Sequence, residues 1–107
     1  RTELTPKFAV IDAASAGDNT ILAAVASKII RVLSLFIVNG HTATQTVRFE
    51  SGASGTALTG QMILAANGGF VLPFNPVGWF QTASGVLLNM ELAGATTVDG
   101  AFTYVEV

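Results

Sequence analysis

The chain has no cysteine, a single histidine and few charges: only 11% of its 107 residues are Asp, Glu, Lys or Arg. Without cysteine there are no disulfide staples and no thiolate metal sites, and redox chemistry says nothing of the compartment. With His41 alone, a metal centre is hard to build, because such sites need several His, Cys or carboxylate ligands converging. Five Lys and Arg against seven Asp and Glu give a net charge of −2 with no basic cluster. That argues against nucleic acid, whose binding rests on cations neutralising phosphates. A bilayer-spanning segment is also missing. Lys28 and Arg31 interrupt the one apolar candidate, and the clean run after Arg31 falls well short of the about 20 residues a span requires. No positively charged leader precedes an apolar segment, so no signal peptide is expected. The first residue is Arg1 rather than Met, which is consistent with removal or omission of an N-terminal piece.

What is present is apolar. Half of the residues are hydrophobic and the mean hydropathy is +0.58, whereas an ordinary soluble domain carries about a quarter charged residues. A chain this uncharged either sits in a membrane or hides much of its surface in an assembly, and the membrane reading fails on length. The chain is long enough for one domain with a modest core.

The longest apolar run, Lys28 to Asn39, organises the rest. As a strand its odd positions are Ile29, Arg31, Leu33, Leu35 and Ile37, and its even positions are Ile30, Val32, Ser34, Phe36 and Val38. Side chains alternate faces along a strand, so both faces are apolar and both need cover. A second sheet of the same chain covers one face, and another subunit is the simplest cover for the other. At helical spacing Leu22, Val25, Ile29, Leu33 and Phe36 also make a stripe, with Thr20 as a cap. The wealth of β-branched residues and the short, turn-separated segments elsewhere favour the strand.

In chain order, Arg1, Thr2, Glu3, Leu4, Thr5, Pro6 and Lys7 lack apolar periodicity and read as an arm, followed by one domain over residues 8–107. Strands are expected at Phe8 to Ala14, Asn19 to Ala26, Lys28 to Asn39, Thr42 to Ser51, Gln61 to Ala66, Gly69 to Phe74, Trp79 to Thr82, Val86 to Leu92 and about Thr97 to Val107. Asn39-Gly40 reads as a type I′ hairpin turn, and Asn67-Gly68-Gly69 as a second turn. Eight to ten short strands at this spacing predict an all-β antiparallel sandwich, jelly-roll-like. The low charge and the two-faced strand predict a homotrimer. Ile29, Leu33, Leu35, Trp79 and Phe80 are the candidate subunit-interface residues; Phe36, Phe49 and Phe102 are assigned to the core.

Reactive chemistry finds little support. His41 follows a turn and reads as a solvated loop residue. No G-x-S-x-G motif supports a serine nucleophile, and no EF-hand spacing is present, although Asp12, Asp18 and Asp99 could gather at one edge. Glu50, Glu91 and Glu106 fall on strand faces, where a glycosidase pair is formally possible. The expectation is a protein that is not an enzyme and uses no cofactor.

The segments KIIRVLSLFIV, VRFESG and GAFTYVEV, and above all the pattern LAANGG…PFNPVGWF.TASG..LN from Leu64 to Asn89, resemble a family of small phage and prophage virion proteins. The resemblance spans roughly Ile11 to Val107. It implies a virion structural role, that of a trimeric β-sandwich that decorates or cements the outer head shell, with the major capsid protein as partner. A fibre or spike module that binds a host receptor is the alternative. The arm Arg1 to Lys7 is the candidate capsid contact. The resemblance brings no catalytic residues.

Overall fold

The computed structural model describes residues 5–107. Ten strands are present: β1 Lys7–Ala13, β2 Gly17–Leu22, β3 Ile30–Asn39, β4 Gln45–Ser51, β5 Thr56–Ala57, β6 Met62–Leu64, β7 Gly69–Leu72, β8 Phe80–Gln81, β9 Leu88–Leu92 and β10 Val98–Glu106. No helix occurs among the described residues, so the stripe from Leu22 to Phe36 is an accident of spacing. The first sheet runs β1-β10-β3-β7, with β8 beside β7 on the same flank of β3. The second runs β2-β9-β4-β5, with β6 beside β5 on β4. All pairings are antiparallel. Treating each short pair as one position, this is a jelly roll: two four-position sheets between which the chain crosses repeatedly.

The core lies between the sheets. Ile11, Ile30, Val32, Leu35, Ile37, Val98, Phe102 and Tyr104 from the first sheet meet Val47, Phe49, Leu88, Met90 and Leu92 from the second. The Phe49 ring lies 4.9 Å from that of Phe80. Gly100 belongs here because a Cβ on it would strike the backbone of Phe36 on the neighbouring strand.

The two apolar faces of the long run have a local explanation. Thr103 pairs with Ser34 and Tyr104 with Val32, so Leu33 has no opposite residue. This is a β-bulge, and one extra residue exchanges the faces of everything beyond it. The inward set is therefore Ile30 and Val32 before the bulge, then Leu35, Ile37 and Asn39 after it. Phe36, assigned to the core from sequence, points outward and is 51% exposed. Phe49 and Phe102 are buried as expected.

Asn39-Gly40 is not a tight hairpin. β3 and β4 belong to different sheets, and the turn carries the chain across the sandwich. Asn39 is buried because its side-chain amide donates to the carbonyls of Ala43 (2.8 Å) and Ala65 (3.2 Å), while its oxygen accepts from His41 N–H. It thus fills backbone hydrogen-bonding capacity that a corner would otherwise leave empty. Asn67, at φ 57°, makes the comparable crossing from β6 to β7. The second strand ends at Leu22 rather than Ala26, and Ala23 to Ala26 are exposed.

Candidate interaction face

Directly opposed residues share a face of a sheet, so cross-strand register assembles the outer face of the first sheet row by row. Val10, Ala101, Phe36 and Val71 form one row across four strands. Phe8, Thr103 and Ser34 form the next row on one side, and Asp12, Asp99, Val38 and Gly69 the next on the other. The middle row is apolar throughout. Phe8 is 84% exposed, Val10 72%, Val71 71% and Phe36 51%. Single exposed hydrophobes are ordinary, but a contiguous group on one face marks an interaction surface. The small side chains of Ser34, Ala101 and Thr103 leave a hollow of about 310 Å³ walled by Phe8, Phe36, Val71 and Pro73.

Charge is segregated to the ends of this face. Asp12 and Asp99 sit directly opposite each other, a repulsive placement. Burial, then the hydrogen bond and charge of Asp12, hold the Asp99 carboxyl above its ordinary range. At the other end Arg31 faces outward, since its neighbours Ile30 and Val32 point into the core. It opposes Val105 and Gln81, and its Nε donates to Gln81 Oε1 at 2.9 Å. Among the described residues it makes no ion pair.

A loop from Pro73 to Trp79 flanks the face and is also apolar: Phe74, Val77 and Trp79 are exposed. It is pinned rather than loose. Asn75 N–H donates to Leu33 C=O and Trp79 N–H to Val32 C=O. Trp79 Nε1 donates to Pro73 C=O at 2.8 Å, and Asn75 Oδ1 accepts from Val77 N–H. Gly78, at φ +94°, lies so close to the Arg31 stem that a Cβ would overlap it.

The candidate interface residues from sequence scatter. Leu35 is in the core; Leu33, the bulge residue, is buried at 4% exposure. Ile29 is half-buried, with backbone bonds to Val107 in both directions. Phe80 packs against the core, and Trp79 alone of the five is open. Of the arm, Thr5 and Pro6 are exposed and Lys7 already opens β1, paired to Glu106; Arg1, Thr2, Glu3 and Leu4 lie outside the described residues. The residues that build the face, Phe8, Val10, Phe36 and Val71, were not singled out for it. One signal was available. Asp12 alternates in phase with Phe8 and Val10, and a carboxylate on that side marks it as the outer one.

The outer face of the second sheet is polar and tightly bonded. Arg48 donates to Glu50 at 2.6 Å and to Glu91 at 2.7 Å. Asn89 Nδ2 donates to both Glu50 and Asp18 at 2.9 Å. The Asp18 carboxylate accepts from the hydroxyl and the N–H of Ser54, and these bonds hold its pKa below the ordinary range. Glu50 is 1% and Asn89 0% exposed, so the charge of Glu50 is tolerable only because it is paired. The carboxylates here serve as ties between β2, β4 and β9. Asp18 is thus on the opposite sheet from the Asp12 and Asp99 pair. Among the described residues no group of three or more His, Cys, Asp or Glu is placed to hold a metal. His41 is exposed, its Nδ1 accepting from Ala43 N–H.

No protein-family model matches the sequence, and comparison with curated proteins finds no match. Solved structures do show similarity. A protein of the Bacillus endospore appendages, a family of disulfide-linked pili, is similar at TM-score 0.52 and 18% identity, over 96% of this chain and 85% of that one. The two share a fold. A protein of the virus-like particle of the giant freshwater prawn (Macrobrachium rosenbergii) extra small virus is similar at TM-score 0.46 and 11% identity, over 99% and 80%. One from the T13 IBDV viral particle gives 0.29 and 17%, over 94% and 31%. At 18% identity the first likeness concerns the fold alone.

Proposed function

We propose that this chain is a virion structural protein of a phage, a capsid decoration or cement protein that works without catalysis or cofactor. It acts as a homotrimer on the outside of the head shell, with the major capsid protein as its partner. The observation that carries the reading is the apolar outer face of the first sheet. A closed sandwich with a buried core has no need of Phe8, Val10, Phe36 and Val71 for its own stability, and leaving them in water is unfavourable. A protein that spends its life covered tolerates them. The resemblance around Leu64 to Asn89 points to the same class, and with no cysteine among these residues no disulfide between them joins the subunits.

The mechanism is linkage. A protein that binds only the assembled lattice stabilises that lattice by mass action. The arm Arg1 to Lys7 is the proposed shell contact, since Lys7 opens the edge strand β1 and the two described residues before it, Thr5 and Pro6, are exposed. Mass spectrometry of purified particles tests the reading. Hundreds of copies per particle are expected. A few dozen would favour a fibre or spike module, and complete absence from particles would remove the virion role.

A further inference from the structure

We propose that the outer face of the β1-β10-β3-β7 sheet is the self-association surface, on which a second copy of this chain packs with its Arg31 against the Asp12 and Asp99 pair. The inference deepens the trimer reading above and rests on it. Three observations lead to it. The first is area. Phe8, Val10, Phe36, Val38 and Val71 leave on the order of 600 Å² of apolar surface open, against about 800 Å² per partner in a standard interface. The hollow walls and the charged ends supply the remainder.

The second is charge. The face carries two like charges at one end and a cation without an ion pair, among the described residues, at the other. A copy laid head to tail brings the two ends together, which relieves the repulsion between Asp12 and Asp99. The raised pKa of Asp99 fits a carboxylate that lacks a cationic partner in the isolated chain. A shell protein of unrelated sequence has no reason to match both ends at this spacing, whereas a second copy does so automatically.

The third is geometry. Contacts between different ends of a surface are heterologous, and heterologous contacts close into rings. Sheets pack about 10 Å apart, so three sheets around an axis each lie about 5 Å from it, and a triangle of that inner radius has sides of roughly 17 Å. The distance along β10 from Asp99 to Val105, the residue opposite Arg31, is roughly 20 Å at strand rise. The charged ends therefore fall at the corners and the apolar row on the axis.

Light scattering and sedimentation on the full chain and its variants test this. The wild type is expected at about three times its 11.0 kDa chain mass. Val71→Asp, at an exposed position, should give a folded monomer with unchanged circular dichroism; Phe8→Ser on the opposite edge gives the same test if that variant does not fold. Arg31→Asp and Asp99→Arg should each loosen the trimer about tenfold or more, and the double reversal should restore most of the loss. A wild-type trimer indifferent to all these changes would overturn the proposed face while leaving the trimer standing. A wild-type monomer at micromolar concentration would remove both, without touching attachment to the shell.

Discussion

Asn89 holds two carboxylates on one amide nitrogen, Glu50 on β4 and Asp18 on β2, with essentially no exposure to water. Truncation to Ala would leave the buried Glu50 short of a donor, an omission that typically costs about 1–3 kcal/mol. A clear drop in the urea midpoint of Asn89→Ala is expected. Phe49 and Phe36 make a second pair of contrasting residues. Phe49→Ala removes a ring at 1% exposure that contacts Phe80, and should cost about 3–5 kcal/mol. Phe36→Ala removes a half-exposed ring and should cost the isolated chain much less, as thermal unfolding of the two variants side by side would show. The aspartates titrate in opposite senses. Asp18 is lowered in the fold, so its contribution is present above the unfolded value, about 3.9, and is lost as pH falls through the folded pKa. Asp99 is raised, so the fold binds its proton more tightly than the unfolded chain does. Stability is then lost as pH rises from about 3.9 through the folded pKa. In the monomeric Val71→Asp background, Asp99→Asn should accordingly melt higher than Val71→Asp alone at pH 7, with the gap closing in acid.

At the scale of elements, β3 decides which residues are core and which are surface. Its bulge at Leu33 lets one strand send Ile30 and Val32 inward and then Leu35 and Ile37 inward. Deletion of Leu33 would remove the bulge and leave Ile30, Val32, Leu35 and Ile37 in strict alternation, all still facing the core. A folded chain that keeps a sharp, cooperative thermal transition is the expected result. The adjoining loop is similarly constrained at Gly78. Its φ of +94° disfavours any L side chain, and the Arg31 stem occupies the space of a Cβ. Gly78→Ala should cost about 1–3 kcal/mol, measured by urea denaturation, and should displace the exposed Phe74, Val77 and Trp79.

For the whole molecule, the arm and the sandwich should separate cleanly. Removal of residues 1–6 leaves β1 and the Lys7 to Glu106 ion pair in place. The melting temperature and the trimer should hold, while attachment to capsids stripped of decoration protein should weaken. Full attachment by the truncated chain would take the arm out of the mechanism. Because the arm carries only Arg1, Glu3 and Lys7 as charged side chains, raising salt should change that attachment little, exposed charges being screened beyond about 10 Å at 0.1 M.

The all-β class, the approximate strand positions and an inward Val98, Phe102 and Tyr104 were legible in the sequence, because alternation and turn residues act over a few neighbours. The same holds for Leu88, Met90 and Leu92, whose alternation with Asn89 and Glu91 is undisturbed. Three features were settled only by long-range contact. The bulge at Leu33 exists relative to β10, some seventy residues away in the chain, and it reverses the assignment of Phe36. Asn39-Gly40 has the chemistry of a hairpin turn, yet the partners that bury Asn39 are carbonyls near Ala43 and Ala65, and they make it a corner between sheets. The apolar row of Val10, Ala101, Phe36 and Val71 draws on four strands that are distant in sequence. Each of its residues reads locally as half of an ordinary alternating strand. Register between strands alone brings them to one surface, and register depends on the whole core packing at once.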